Sequence, residues 1–585
     1  RGPLNGWTDA IFRMLSSSAN GNGNSHDLSD CALELALLNL LRLLVSTMPR
    51  ALDAHAEGLI APIGGLLLRA AKVLEVELQL AGNDSGNGNG GGFAVAACDS
   101  DGGSLGVSAL VSGLLDVFSA LASSSRLYKR LLPALPDVCH AAIGLLRIPP
   151  ESESEWESDL SQYLQDEDPD SFAISPRVAA VQMIDELLDA YGSKALPSLL
   201  RAASARLDEA TAIRTSGGSH WWRLREAALL SLSLAAPLLG SSAAKARKKG
   251  AQPMLQPEQL LRDVLLPDMA AAAASDAQPP PLLRARALCT ACRFAANVSD
   301  PSSLQPLLHA LHTSLSANEI PQLRLSACRA LIDLSESLDL HPSAPITQYD
   351  PSFSELLPSV VSLLASDVED AVLLALEATV RMLKRSTQIA CAAESWLSPM
   401  LMQLWSARRS EHLTASAIVD AIKALATSPQ ALPNLVQRLL PAIVEVLQLQ
   451  QASNTEHESR AQASGGDTAA DEPPAVDPLM PALEMLEICL KRWPPHDRLP
   501  PHLISHALPL LLPVLATVCD YDALRVGASC LSRLLKRAPR MQADEQQALS
   551  LMEWPPMMAR MLRPTLNEEL IESVIPLVGQ LATSA

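Results

Sequence analysis

Residues 177–190 read Arg-Val-Ala-Ala-Val-Gln-Met-Ile-Asp-Glu-Leu-Leu-Asp-Ala. Val178, Val181, Ile184 and Leu188 recur at steps of three and four, which places them on one helical face. Ala179 and Ala180 leave room for a neighbouring helix to come close. An Arg with an Ala three residues later, opening an apolar helix, returns at Arg225/Ala228, Arg284/Ala287, Arg324/Ala327 and Arg525/Ala528. Helices of the same pattern without the Arg place their Ala at 375, 417 and 482. The successive Ala-to-Ala spacings are 48, 59, 40, 48, 42, 65 and 46 residues. Without the insertions in the two long intervals the period is about 40–48, the range of HEAT and armadillo repeats. Two amphipathic helices cannot bury both apolar faces alone, so each pair stacks on the next. The expected fold is an all-α solenoid of HEAT/armadillo type, a superhelical stack of antiparallel helix pairs. Leu-Leu-Pro or a similar run marks the second helix, at Leu131-Leu-Pro133, Leu265-Leu-Pro267, Leu356-Leu-Pro358, Leu440-Pro441 and Leu512-Pro513. Its proline is expected in the first helical turn, where no backbone hydrogen bond is lost.

Composition agrees. The 585 residues are 48% hydrophobic but only 3% aromatic, so the apolar content is nearly all aliphatic. That opposes an all-β chain and favours helices. Charged residues make up 19%, too few for general disorder. The formal net charge of −19 suits basic partners and opposes direct nucleic-acid binding, although solubility alone also accounts for it. Ten cysteines without regular spacing are no disulfide framework and point to a reducing compartment. No run of 18 apolar residues occurs, so no membrane span is expected. The chain opens Arg1-Gly2-Pro3 without Met, as a fragment would.

The pattern divides the chain into five stretches. Residues 1–150 are helical repeats broken by a flexible Gly/Asn-rich loop over 82–106, and 151–176 are an acidic loop. Residues 177–449 are repeats with a basic insertion over 240–257, 450–478 a disordered polar linker, and 479–585 further repeats.

Glu151, Glu153, Glu155, Glu157, Asp159, Asp166, Glu167, Asp168 and Asp170 put nine acids into twenty residues without a Lys or Arg. Trp156 and Tyr163 are interleaved. Such a run either meets a basic ligand or is a solvated loop. Trp221 and Trp222 are candidate partner contacts, with packing of both at a repeat junction the simpler reading. Lys245, Arg247, Lys248 and Lys249 form a short basic patch that resembles a localisation or anion-binding signal, or else a solvated loop. Cys289-x-x-Cys292 has no second pair, and His502 and His506 flank Leu503-Ile504-Ser505 with no Glu between them, so no metal site is expected. No phosphate-binding loop, nucleophile elbow or dinucleotide fingerprint occurs; no catalytic residue, no cofactor and no enzymatic activity are expected.

Several segments together carry a resemblance. They are Gln165-Asp-Glu-Asp-Pro-Asp-Ser-Phe-Ala-Ile-Ser-Pro-Arg-Val-Ala-Ala180, Ser216-Gly-Gly-Ser-His-Trp-Trp-Arg-Leu-Arg-Glu-Ala227 and Pro321-Gln-Leu-Arg-Leu-Ser-Ala-Cys-Arg-Ala-Leu331. To these add Glu394-Ser-Trp-Leu-Ser-Pro399 and Leu435-Val-Gln-Arg-Leu-Leu-Pro-Ala-Ile-Val444. The chain resembles the importin-beta (karyopherin) superfamily, in particular its importin-nine branch, over about 150–530. That resemblance implies a HEAT-repeat transport receptor that binds basic cargo such as core histones. It would cross nuclear pores on their Phe-Gly proteins and release cargo to Ran-GTP, shuttling between cytoplasm and nucleus by way of the nuclear envelope. The family's N-terminal Ran-binding repeats and its C-terminal repeats are not recognisable here. Asp166, Glu167, Asp168 and Asp170 become the candidate cargo-facing cluster. A HEAT scaffold of a multiprotein complex fits composition and period equally well.

Overall fold

The computed structural model describes residues 6, 10–11, 13–15, 31–81, 105–168, 175–248, 250, 254–270, 279–298, 300–340, 347–463, 478–494, 497–500, 503–517 and 520–537. Among them no residue is in a strand. The chain forms two compact units, residues 1–346 and 347–585.

In the first unit the long helices are α1 (Ala32–Thr47), α2 (Ala56–Ala81), α3 (Val107–Ser123), α4 (Leu135–Leu145), α5 (Pro150–Ser158) and α6 (Leu160–Asp166). They continue as α7 (Pro176–Tyr191), α8 (Leu196–Thr215), α9 (Trp221–Lys248), α10 (Pro281–Phe294), α11 (Gln305–Ser314) and α12 (Pro321–Asp339). One row of neighbours runs α1, α3, α7, α9, α10, α12; a second runs α2, α4, α8, and the helical stretch 257–269 neighbours α11. In the second unit α13 (Asp350–Val361), α15 (Thr387–Arg408), α17 (Leu432–Ala463) and α19 (Leu508–Thr517) back a row of α14 (Glu369–Arg385), α16 (His412–Leu425), α18 (Leu479–Arg492) and α20 (Tyr521–Leu535). Paired rows of stacked helices are the solenoid arrangement the period predicts.

The repeated residues earn their places. Ala180, Ala228, Ala287, Ala327, Ala375 and Ala528 are wholly buried and Ala482 nearly so, each at helix crossings within its own unit. In α16 the register differs by two: Ala415 is buried, and Ala417 is not. The repeated Arg links neighbouring repeats. Arg177 of α7 pairs with Glu226 of α9 at 2.9 Å, Arg225 of α9 with Asp268 at 2.6 Å, and Arg284 of α10 with Glu319 at 2.8 Å. Arg525 departs from this pattern and, among the described residues, pairs with Asp522 of its own helix at 3.5 Å. The start of α7 shows why these helices begin where they do. Ser175 Oγ accepts the Val178 amide at 3.2 Å, Pro176 presets the first turn, and Gly192 leaves the helix with φ +53°.

Four expectations need correction. Pro358, Pro441 and Pro513 fall inside α13, α17 and α19, because these helices start earlier than the Leu-Pro run; each forfeits a backbone hydrogen bond there. The basic stretch from Gly240 is helical through Lys248, because α9 runs on, and Lys245 is exposed on it. The polar linker from Gln450 is likewise helical as far as Ala463, the end of α17. The acidic loop over 151–176 contains two helices, α5 and α6. Residues 82–104, 464–477 and 538–585 lie outside the described residues.

One helix, Trp221–Ala243, is long and apolar enough by composition to cross a membrane, but two-thirds of it is buried among its neighbours. Its first turns also carry Arg223, Arg225 and Glu226.

Candidate functional site

The acidic segment is a strap of two short helices. Pro150 opens α5, with Glu151 and Glu153 in its first turn, where acids suit the helix dipole. Asp159 ends α5 and caps α6: its carboxylate accepts the amides of Ser161 at 2.9 Å and Gln162 at 3.2 Å. The strap lies across row one and touches four of its helices in turn, α7, α9, α10 and α12.

Its anchors are aromatic and ionic. Trp156 is 2% exposed and meets Tyr163 edge-on, with ring centroids 5.3 Å apart. Trp156 Nε1 donates to Asp166 Oδ2 at 2.7 Å, and Gln162 Nε2 donates to the other oxygen at 2.8 Å. Tyr163 OH and Ser326 Oγ of α12 share a hydrogen bond of 2.5 Å. Two main-chain carbonyls of the strap are also held from α12: Gln322 Nε2 donates to Trp156 O, and Arg329 Nη1 donates to Glu167 O at 2.9 Å.

Glu167 is the hub. One carboxylate oxygen accepts from Arg177 Nη2 at 2.8 Å and the other from Arg286 Nη2. Those same guanidinium groups close on Glu226, with Arg177 at 2.9 and 3.0 Å and Arg286 Nε at 2.7 Å. Arg177 Nη1 also donates to Leu146 O, which ties α7 back to the end of α4. Two acids and two arginines thus alternate, nearly dry, and every charge has a partner, the condition under which buried charges are tolerated. Burial opposes the Glu167 charge, but Arg286, Arg177 and Arg329 outweigh it and bring the pKa down to about 2. At the strap's other end Arg223 Nη2 meets Glu153 Oε2.

This geometry sorts the predicted cargo-facing cluster. Glu167 points inward with both oxygens taken by arginines of row one, and Asp166 is spent on Trp156 and Gln162 of the strap itself, so neither is a free surface acid. Asp168 is exposed, and Asp170 lies outside the described residues. Glu151, Glu155, Glu157 and Asp159 are exposed along the outer edge of the strap. Trp222 is 6% exposed, with Arg223 over its ring at 4.8 Å, and Trp221 lies half-buried under Arg214 at 4.4 Å. Trp222 is therefore packed within its own chain, whereas Trp221 is only half-buried.

Sequence reading missed Glu226, Arg286, Gln322, Ser326 and Arg329, the receiving side of the strap. The signals were indirect: Glu226, Gln322, Ser326 and Arg329 lie in segments that carry the resemblance, and Arg286 and Arg329 follow the repeated Arg by two and five residues on helices already identified. Cys289, Cys292 and Cys328 are buried free thiols; burial pushes Cys289 up to about 11 and Cys328 up to about 12, which leaves them unreactive. No group of three His, Cys, Asp or Glu with metal-binding geometry occurs among the described residues.

The site lies inside the stretch that comparison with known proteins picks out. Residues 130–349 match the family model of importin-9 central HEAT repeats. Importin-9 of Drosophila melanogaster is 21% identical over 464 residues, which cover 78% of this chain and 42% of the fly protein. The chain thus spans less than half the length of that relative. Crystal structures of Kap121p, alone and bound to Pho4p, share 11% and 12% identity at a TM-score of 0.45, covering 99% of this chain and 64% of Kap121p. Over residues 130–349 the chain is therefore similar to the central HEAT repeats of importin-9, and it resembles the fly importin-9 over 78% of its own length.

Proposed function

We propose that the chain is part of a nuclear import receptor whose acidic strap presents its outer edge to basic protein cargo, core histones being the fitting class. The observation that carries this reading is the arrangement of the strap. Its inner acids are neutralised by row one, while Glu151, Glu155, Glu157, Asp159 and Asp168 remain exposed on one short element. Opposite charge on a rigidly held edge speeds encounter and weakens with salt. In the whole receptor, Ran-GTP would discharge the cargo and pore Phe-Gly proteins would carry the complex, with shuttling between cytoplasm and nucleus. No part of this scheme calls for catalysis. Binding of core histones to the wild-type chain is expected at moderate salt, with a loss of about tenfold when the five outer acids become Ser or Asn, equivalent to about 1.4 kcal/mol. Equal retention of both forms would sink the outer-edge reading. Failure of Ran-GTP to compete with cargo on the full-length receptor would favour a scaffold instead.

A further inference from the structure

The groove beneath the strap is cationic, although the chain as a whole carries −19. Row one contributes Arg177, Arg223, Arg286, Arg293 and Arg329 here against the carboxylates Glu226 and Asp333. What fills the groove is a peptide with acids at both ends and aromatics between. Glu153 and Glu167 meet the arginines, and Trp156 and Tyr163 pack against the helices between them. Two contacts reach main-chain carbonyls rather than side chains, Gln322 to Trp156 O and Arg329 to Glu167 O. Contacts of that kind hold an extended or helical segment whatever its side chains. Arg223 Nε is buried there without a hydrogen-bond partner, so the groove offers more donors than the strap uses. These are the parts of a peptide-binding site: charge complementarity, anchor pockets and backbone recognition.

We infer that row one from α7 to α12 is a binding groove for acidic, aromatic-bearing peptides, and that residues 150–168 are its occupant in cis. An acidic segment of a partner protein would take the same arginines in trans as the strap lifts. The proposal is independent of the cargo reading, which concerns the outer edge. A tethered occupant acts at an effective concentration of the order of millimolar, so a peptide in trans sees the groove only when the strap's own anchors are weakened.

A fluorescent peptide of residues 150–168, titrated by anisotropy against the full chain at physiological salt, tests this. Wild type is expected to bind it weakly, because the strap competes. A chain carrying Glu153→Gln, Trp156→Ala and Glu167→Gln is expected to bind at least tenfold more tightly. The gain should vanish when Arg223→Gln and Arg329→Gln are added, or when the peptide carries Lys at the position of Glu167. Helix content by circular dichroism checks each variant. Should the triple change disturb folding, Glu153→Gln with Glu167→Gln, which leaves Trp156 in place, gives the same comparison. Folded variants that bind no better than wild type would overturn the proposal, as would tight binding indifferent to Arg223 and Arg329.

Discussion

Glu167 shows how far a residue's role can lie from its composition. In the sequence it is one acid of nine; in the fold it neutralises two arginines from different repeats. Arg177 was legible as the repeated Arg of its helix, but its partner Glu226 sits 49 residues away and only stacking brings them together. The Glu167 pKa is lowered from the ordinary carboxylate range to about 2. A lowered folded-state pKa means that its ionisation supports folding fully above the unfolded value and loses that support as pH falls through about 2. Glu167→Gln is therefore expected to destabilise strap docking at pH 6, by about 3 kcal/mol as for a broken buried pair. Denaturant melts of the two forms should converge as pH falls from about 4.5, the carboxylate's ordinary value, towards 2. A gap that stayed constant over that range would show that the charge of Glu167 is not what holds it.

At the scale of elements, periodicity located the helices well because each buries one continuous face. It failed where helices run past their apolar face, as in α9 through Lys248 and α17 through Ala463. Backbone hydrogen bonding carries such a helix onward beyond the apolar run of its sequence. It failed again at α5 and α6, which have too few apolar residues for a period to register. Their helicity rests on Pro150, the Asp159 cap and the burial of Trp156 and Tyr163. The strap is thus folded by what it docks against. Trp156→Ala removes its largest anchor and should weaken docking by roughly 3–5 kcal/mol. Limited proteolysis should then cut within 150–168 well before the rest of the unit, whereas Glu155→Ala, on the exposed edge, should leave the digestion pattern unchanged. Identical patterns for wild type and Trp156→Ala would mean that the strap is not held by that ring.

At the scale of the whole molecule, low aromatic content, aliphatic helices and a spacing near 40–48 residues reveal the repeat class, since a solenoid writes its period into the chain. The candidate site was half legible. Its acids stand out in sequence, whereas the arginines that receive them are scattered over four helices and look like ordinary surface charge. Among the acids of the strap, some are spent on internal pairing and others stay exposed. The central claim is that residues 150–168 form a docked strap rather than a solvated acidic loop. Amide hydrogen exchange of the full chain, read by mass spectrometry on peptides spanning 150–168, tests this most directly. The account predicts protection over α5 and α6 in the wild type, lost when Arg286→Gln removes a partner of Glu167 while α7 and α12 stay protected. Exchange of 150–168 in the wild type at the rate of an unstructured peptide would contradict it.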